Sequence, residues 1–245
     1  MNDKKIIGLL VFKRRFIVNG YFMVLAIAII CLFVRLGFWQ LERASEKKQM
    51  LLTYEMRSRQ PPRAWSPNNQ QPQQYQRITV QGHFLNKILL LDNQHYNHQF
   101  GYNVLSPLLL ANNQVVLVDR GWLAADRTKV PFPLISVPDS IVELMGTVYF
   151  PSASFWLLGE VLEQLQPNIA IVETVDRAAI SKFLHKEIYP FTIRLDKSQN
   201  FGFIREWPII AASPGRHYGY AVQWFAMAIT SLIVFLCLSF KKYEY

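Results

Sequence analysis

Two long apolar runs bracket the chain, and the stretch between them alternates. The first runs from Phe16 to Val34, broken only by Asn19. With Gly37-Phe38-Trp39 it reaches about 22 residues, enough to cross ~30 Å of hydrocarbon as a helix. The second runs from Tyr218 to Phe240. From Leu41 to Arg59 there is no proline or glycine, and Glu, Arg, Lys, Met and Leu dominate. That stretch is predicted to prolong the first span as a helix, which Pro61-Pro62 ends.

Beyond a loop over Ser66–Gln76 the pattern turns to period two. Strands are predicted over Tyr75–Phe84, with Gly82 marking a bulge, and over Lys87–Asp92. Asn93–Gln99 reads as a polar loop holding His95 and His98. Tyr102–Leu110 and Gln114–Leu123 read as strands joined by Ala111-Asn112-Asn113. Val130–Pro138 is broken by prolines. Ile141–Phe150 is a strand, Gly159–Gln166 a short helix and Ile169–Glu173 a strand. Thr174 is placed as the cap of a helix over Val175–His185, and Ile188–Asp196 is the last strand. Phe201–Pro214 leads back to the second apolar run.

The fold class that follows is two transmembrane α-helices, a hairpin anchor, flanking one β-rich α+β extramembrane domain. The parts are a basic N-terminus (1–15), a first span (16–37), the domain (38–216, with 38–60 the helical extension), a second span (217–240) and a C-terminal tail (241–245).

Charge sharpens that picture. The formal net charge is +9. Between Glu42 and Arg216 there are 18 basic and 15 acidic residues, against 8 and 2 in the rest. The excess lies beside the spans, which points to membrane topology rather than to a nucleic-acid surface. Lys4, Lys5, Lys13, Arg14 and Arg15 before the first span, and Lys241 and Lys242 after the second, put both termini in the cytoplasm. A cleaved signal peptide is disfavoured by the length of the first run and the lack of a small-x-small site after it. Cys31 and Cys237 fall in opposite leaflets, too far apart for a disulfide, and no thiol cluster offers a copper or zinc site.

The chemistry gathers at Arg216-His217-Tyr218-Gly219-Tyr220-Ala221-Val222-Gln223-Trp224. On a helix, His217, Tyr220, Ala221, Trp224 and Ala228 share a face at the mouth of the span. An imidazole above a flat aromatic and small residues suits a large planar ligand. It equally suits an interfacial polar residue within an aromatic belt. Gln223 lies inside the span, and Trp39 and Gln40 lie at the matching end of the first. Gln223 therefore has either the first span or a ligand as partner. His95-x-x-His98 reads as a solvated loop rather than a metal site. Asp119-Arg120-Gly121-Trp122 reads as a locally bonded turn rather than a general base. No GxSxG, HExxH, P-loop or GxGxxG occurs.

Several stretches together resemble the surfeit locus protein 1 family of cytochrome c oxidase assembly factors. They are Gly37-Phe38-Trp39-Gln40-Leu41-Glu42-Arg43-Ala44, Pro61-Pro62, Tyr75–Phe84 and Leu91-Asp92-Asn93-Gln94. Val116-Leu117-Val118-Asp119-Arg120-Gly121-Trp122, Gly146-Thr147-Val148-Tyr149-Phe150-Pro151, and His217 with Gly219-Tyr220-Ala221 and Gln223-Trp224-Phe225 complete the set. The resemblance implies a non-enzymatic, membrane-anchored factor for respiratory-chain biogenesis that binds haem a as cargo and aids its insertion into the catalytic subunit. It implies His217 as the axial ligand of the haem iron. Tyr220, Trp224, Gln223 and Arg216 are the expected companions, and Arg35 and Arg43 are further candidates for the propionates. Its implied partners are oxidase subunits, haem a synthase and the lipid bilayer. The absence of a transit-peptide-like N-terminus points to the bacterial inner membrane, with the domain periplasmic. The alternative is a haem-independent chaperone that docks and stabilises oxidase assembly intermediates.

Overall fold

The computed structural model describes residues 10–11, 14–16, 19–125, 135–151 and 161–242. The chain divides into two units, Met1–Leu52 with Ile209–Tyr245, and Thr53–Pro208.

In the first unit, two short strands, β1 (Leu10–Val11) and β2 (Arg14–Phe16), precede helix α1 (Gly20–Ser58). After the second unit the chain returns in α3 (Pro214–Ser239) and ends in β12 (Phe240–Lys242). Both helices are long and apolar enough to cross a membrane. Their burial pattern explains how they pair. On α1 the inward positions are Met23, Ala26, Ile30, Phe33, Gly37, Gln40 and Ala44. On α3 they are His217, Ala221, Trp224, Ala228, Ser231, Phe235 and Ser239. That three–four spacing is the seam of two helices packed side by side. Phe22 meets Phe235 at 5.6 Å and Phe38 meets Phe225 at 5.4 Å, so the helices run antiparallel. The outward face is the reverse of a soluble helix: Val24, Ile27, Leu32, Val222, Ile229 and Ile233 are all exposed. Lipid is the solvent in which such a surface is stable, and the chain is membrane-anchored. Cys31 and Cys237 are both free thiols.

The second unit carries β3 (Arg63–Ala64), β4 (Arg77–Phe84), β5 (Ile88–Tyr96), β6 (Gln99–Leu109), β7 (Val115–Ala124), β8 (Ile141–Tyr149), β9 (Leu162–Gln166), β10 (Ile169–Val172), α2 (Arg177–Leu184) and β11 (Ile188–Leu195). These nine strands join one sheet in the order β3-β4-β8-β11-β7-β6-β5-β10-β9. β4 also pairs with β6 through His83↔Leu109 and Phe84↔Leu108, so β4, β8, β11, β7 and β6 close into a ring. Ile78, Val80, Phe84, Leu108, Val118, Leu144, Val148 and Phe191 belong to one buried cluster contributed by these strands. A second cluster packs α2, through Ile180, Phe183 and Leu184, against Leu89, Leu105, Val115 and Leu117.

Several expectations change here. Gly82 marks no bulge: β4 runs in unbroken register with β8 through Gly82↔Val142. Its missing Cβ instead admits β6, since that atom would lie 2.7 Å from the Leu109 carbonyl oxygen. Asn93–Gln99 is not a loop. β5 continues to Tyr96 and turns on Asn97 and His98, both at positive φ, which is a tight two-residue hairpin. Leu162–Gln166 is a strand rather than part of a helix, because pairing with β10 overrides a helical composition. Residues 159 and 160 of that expected helix lie outside those described. The cap of α2 is Asp176, whose side chain accepts from the Ala179 N–H at 2.8 Å, rather than Thr174. Of the proline-broken stretch, residues 130–134 also lie outside those described.

Candidate functional site

His217 sits in the first turn of α3 with its ring half-buried on the seam. Its Nδ1 lies 2.8 Å from Oε1 of Gln40. Gln40 is only 9% exposed, so this polar contact is largely shielded from solvent. Small residues make it reachable. Ala44 and Ala221 are buried, and a Cβ on Gly37 would lie 2.6 Å from the Phe225 ring. With the amide oxygen facing it, a neutral imidazole in the Nδ1–H tautomer donates to Gln40. Nε2 then keeps its lone pair. A metal-binding imidazole is commonly oriented in this way, by a carbonyl on the other ring nitrogen.

The companions separate into two groups. Trp224 turns inward and packs on Phe33 at 5.7 Å, and Ala221 and Ala228 are buried in the seam. Arg216, Tyr220 and Gln223 stay exposed on the outer flank of α3. A Cβ at Gly219 would meet nothing within 4 Å. Of the arginines, Arg43 is engaged locally, 5.8 Å above the Trp39 ring and 2.7 Å from Glu46. Arg35 is exposed.

The remaining histidines stand apart. His95 pairs with Phe100 at 5.7 Å, His98 occupies the hairpin turn, His83 is exposed on β4 and His185 ends α2 in a left-handed conformation. Among the described residues no group of three His, Cys, Asp or Glu gathers as metal ligands.

The Asp119-Arg120-Gly121-Trp122 run is not a turn but the middle of β7. Asn103↔Trp122 and Leu105↔Asp119 leave two residues of β7 facing one of β6, a bulge at Arg120-Gly121. Gly121 has φ +105°, and the Asp119 Oδ1 accepts its N–H at 3.0 Å. Oδ2 accepts from Asn103 at 3.1 Å and from the Trp207 indole at 2.9 Å. Burial pushes the Asp119 carboxyl above the usual range, against the pull of the Gly121 N–H, Arg194, Asn103 and Trp207. Arg120 lies over Phe201 and Phe203, and burial lowers it to about 10. Bonds from Phe203 N to Arg120 O and from Trp122 N to Ile204 O fasten residues 201–208 to this strand. The carboxylate is thus committed to holding the chain that leads back to α3.

Gln40 and Trp207 escaped the sequence as partners. The sequence places Gln40 only at the matching depth, and nothing local announces Trp207.

The SURF1 family model matches residues 27–229, a range that includes both Gln40 and His217. The chain belongs to the SURF1 family. A SURF1-like protein of Rickettsia felis is 26% identical over 221 residues, covering 83% of this chain and 90% of its own. Another, from Rickettsia conorii, is 25% identical over 210 residues, covering 83% and 85%. Membership in the SURF1 family, the surfeit locus protein 1 family of the sequence resemblance, implies a cytochrome oxidase assembly factor rather than an enzyme.

Proposed function

We propose that this SURF1 protein carries haem a, with Nε2 of His217 as the axial ligand of the iron, and passes it to the nascent oxidase subunit. The observation that carries this reading is the bond between His217 Nδ1 and Gln40 Oε1 at 2.8 Å. It suits the Nδ1–H tautomer, whose Nε2 is available to iron, and it orients the ring. The open flank of Tyr220, Gln223 and Arg216 supports it, with an aromatic, an amide and a guanidinium beside the imidazole. Arg216 and Arg35 suit the propionates, since guanidinium pairs well with carboxylate. The bound haem supplies only its own iron and apolar plate, as cargo. The chain's part is to present one imidazole, exclude water on the seam side and leave the opposite axial side to the acceptor. The setting is the bacterial inner membrane, with both termini cytoplasmic, the domain periplasmic, and oxidase subunits and haem a synthase as partners.

A haem-independent docking chaperone is the second reading. It is favoured by Trp224, Ala221 and Ala228, which serve the helix seam and leave less of the face for a ring. The colour of the full-length protein, purified in detergent from cells that make haem a, separates the two. A reduced haem a band supports the carrier. A colourless protein under those conditions leaves the docking chaperone.

A further inference from the structure

Arg57, β3 and the chain from 65 to 76 shape a groove of about 560 Å³ in the domain. Its wall is held by the chain's own hydrogen bonds. The Trp65 indole donates to the Gln70 carbonyl at 3.1 Å, and Arg57 Nη1 donates to the Gln74 carbonyl at 2.6 Å. Oδ1 of Asn69 accepts from the N–H and the hydroxyl of Ser66, at 2.9 and 2.6 Å. Oε1 of Gln76 accepts from the Gln73 N–H at 2.9 Å. The oxygens of both amides are committed to the loop, so what these side chains have left to offer is their N–H donors. Arg63, exposed on β3, adds a second guanidinium, and further glutamine amides complete the wall. Among the described residues no carboxylate lines the groove, and the chain carries no acidic residue between Glu55 and Asp92. A wall of donors and positive charge selects an anionic ligand rich in acceptors.

The fold says what carries the charge. β3 stands at one end of the nine-stranded order and, among the described residues, pairs only with β4. The Trp65 N–H bonds the Thr79 carbonyl at 2.9 Å, and Ala64 is the residue opposite Thr79. In a parallel ladder that leaves the N–H and C=O of Ala64 turned away from β4. Ala64 is exposed and lines the groove. An unpaired edge of this kind is a template for another extended chain. A phosphate or a sugar has no use for it, but a peptide has. We propose that the groove binds an extended acidic peptide of a partner protein, laid along the free edge of β3, with Arg63 and Arg57 receiving its carboxylates. Alternate side chains of a strand point to one side, so carboxylates at every second position face the wall. β3 is only two residues long, so backbone pairing alone is weak and the charged contacts supply the discrimination. The proposal uses no residue of the haem site and holds or fails independently of haem binding.

The test is fluorescence anisotropy of the full-length protein in detergent with a fluorescein-labelled, end-capped hexapeptide that alternates glutamate and valine. The wild type should bind it saturably, and the lysine–valine counterpart should not bind. Arg63→Gln should weaken binding about two- to fivefold, the range of an exposed ion pair, and Arg63→Lys should keep most of it. Ala64→Pro removes the outward N–H of an edge strand, leaves the bonds to β4 in place and should weaken binding about tenfold. The same peptide N-methylated along its backbone should also bind about tenfold more weakly. That comparison reads the strand contact on the unaltered protein, and it decides the matter if near-UV circular dichroism shows that Ala64→Pro does not fold. Absence of saturable binding by the wild type overturns the proposal. Equal binding of the glutamate and lysine peptides, full affinity for the N-methylated peptide, or undiminished binding by Arg63→Gln does so too. Displacement by tripolyphosphate as effective as by unlabelled peptide at equal concentration would make this a plain anion site, and it likewise overturns the proposal.

Discussion

Two buried polar centres, one in each unit, use their hydrogen-bonding capacity in opposite ways. In the domain, Asp119 accepts from Gly121, Asn103 and Trp207, all donors of its own chain. Between the helices, His217 engages one ring nitrogen with Gln40 and holds the other in reserve. A buried polar group whose capacity is taken up internally holds structure together. One that is oriented but left half-used is equipped for something that arrives. The domain centre therefore reads as architecture, and the helix-pair centre is the proposed place of function.

Substitutions can break this contrast, and the largest effect belongs to the domain. Asp119→Ala strands the Trp207 indole and the Asn103 amide and removes the counter-charge of Arg194. It should cost about 3–5 kcal/mol of domain stability, read by near-UV circular dichroism of the detergent-solubilised protein. Haem a titrated into the protein below its melting range should bind as before. Weaker haem binding without loss of domain structure would merge the two centres.

Gln40→Leu comes next. It keeps the bulk of the side chain, frees Nδ1 and should weaken haem a affinity about 10–100-fold in a spectroscopic titration. An unchanged affinity would mean that the Gln40 contact only pairs helices. Gly121→Ala follows, at about 1–3 kcal/mol, because its φ is left-handed and its Cβ would lie 2.5 Å from the Ile204 oxygen. Thermal melting reads it, and no shift would mean that residues 201–208 are not clamped as described.

The smallest effect is one of pH. Burial raises the Asp196 carboxyl, but bonds from Ser198 and the Arg77 guanidinium outweigh it and leave its pKa below the model-peptide value of 3.8. Its stabilisation is therefore present above about pH 4 and lost as the pH falls through the lower folded-state value. Asp196→Asn should flatten that acid limb by less than about 1 kcal/mol. An unaltered limb in melts between pH 2 and 5 would assign it to other carboxyls.

How much of this was legible beforehand depends on how far apart the interacting residues are in the chain. The spans were legible because a run of apolar residues needs no partner to be recognised. Most strands were legible because alternation is local. The closure of the ring by β4 and β6 was not, because that contact leaves no periodic mark. The β5–β6 hairpin was missed because Asn97-His98 takes up the left-handed turn without the usual glycine. Leu162–Gln166 looked helical because a weak local preference was all that could be read without its neighbour β10. His217 itself stood out, through its place at the mouth of an apolar run. Its orientation did not, because that depends on Gln40, which lies 177 residues away in sequence.

The most direct test of the central claim is the reduced absorption spectrum of the detergent-purified protein, made in cells that produce haem a, beside His217→Ala. The account predicts a haem a band in the wild type and none in a His217→Ala protein whose helix content and domain melting are unchanged. A band of equal height in the variant would contradict it, and the iron would then have to be held somewhere other than at His217.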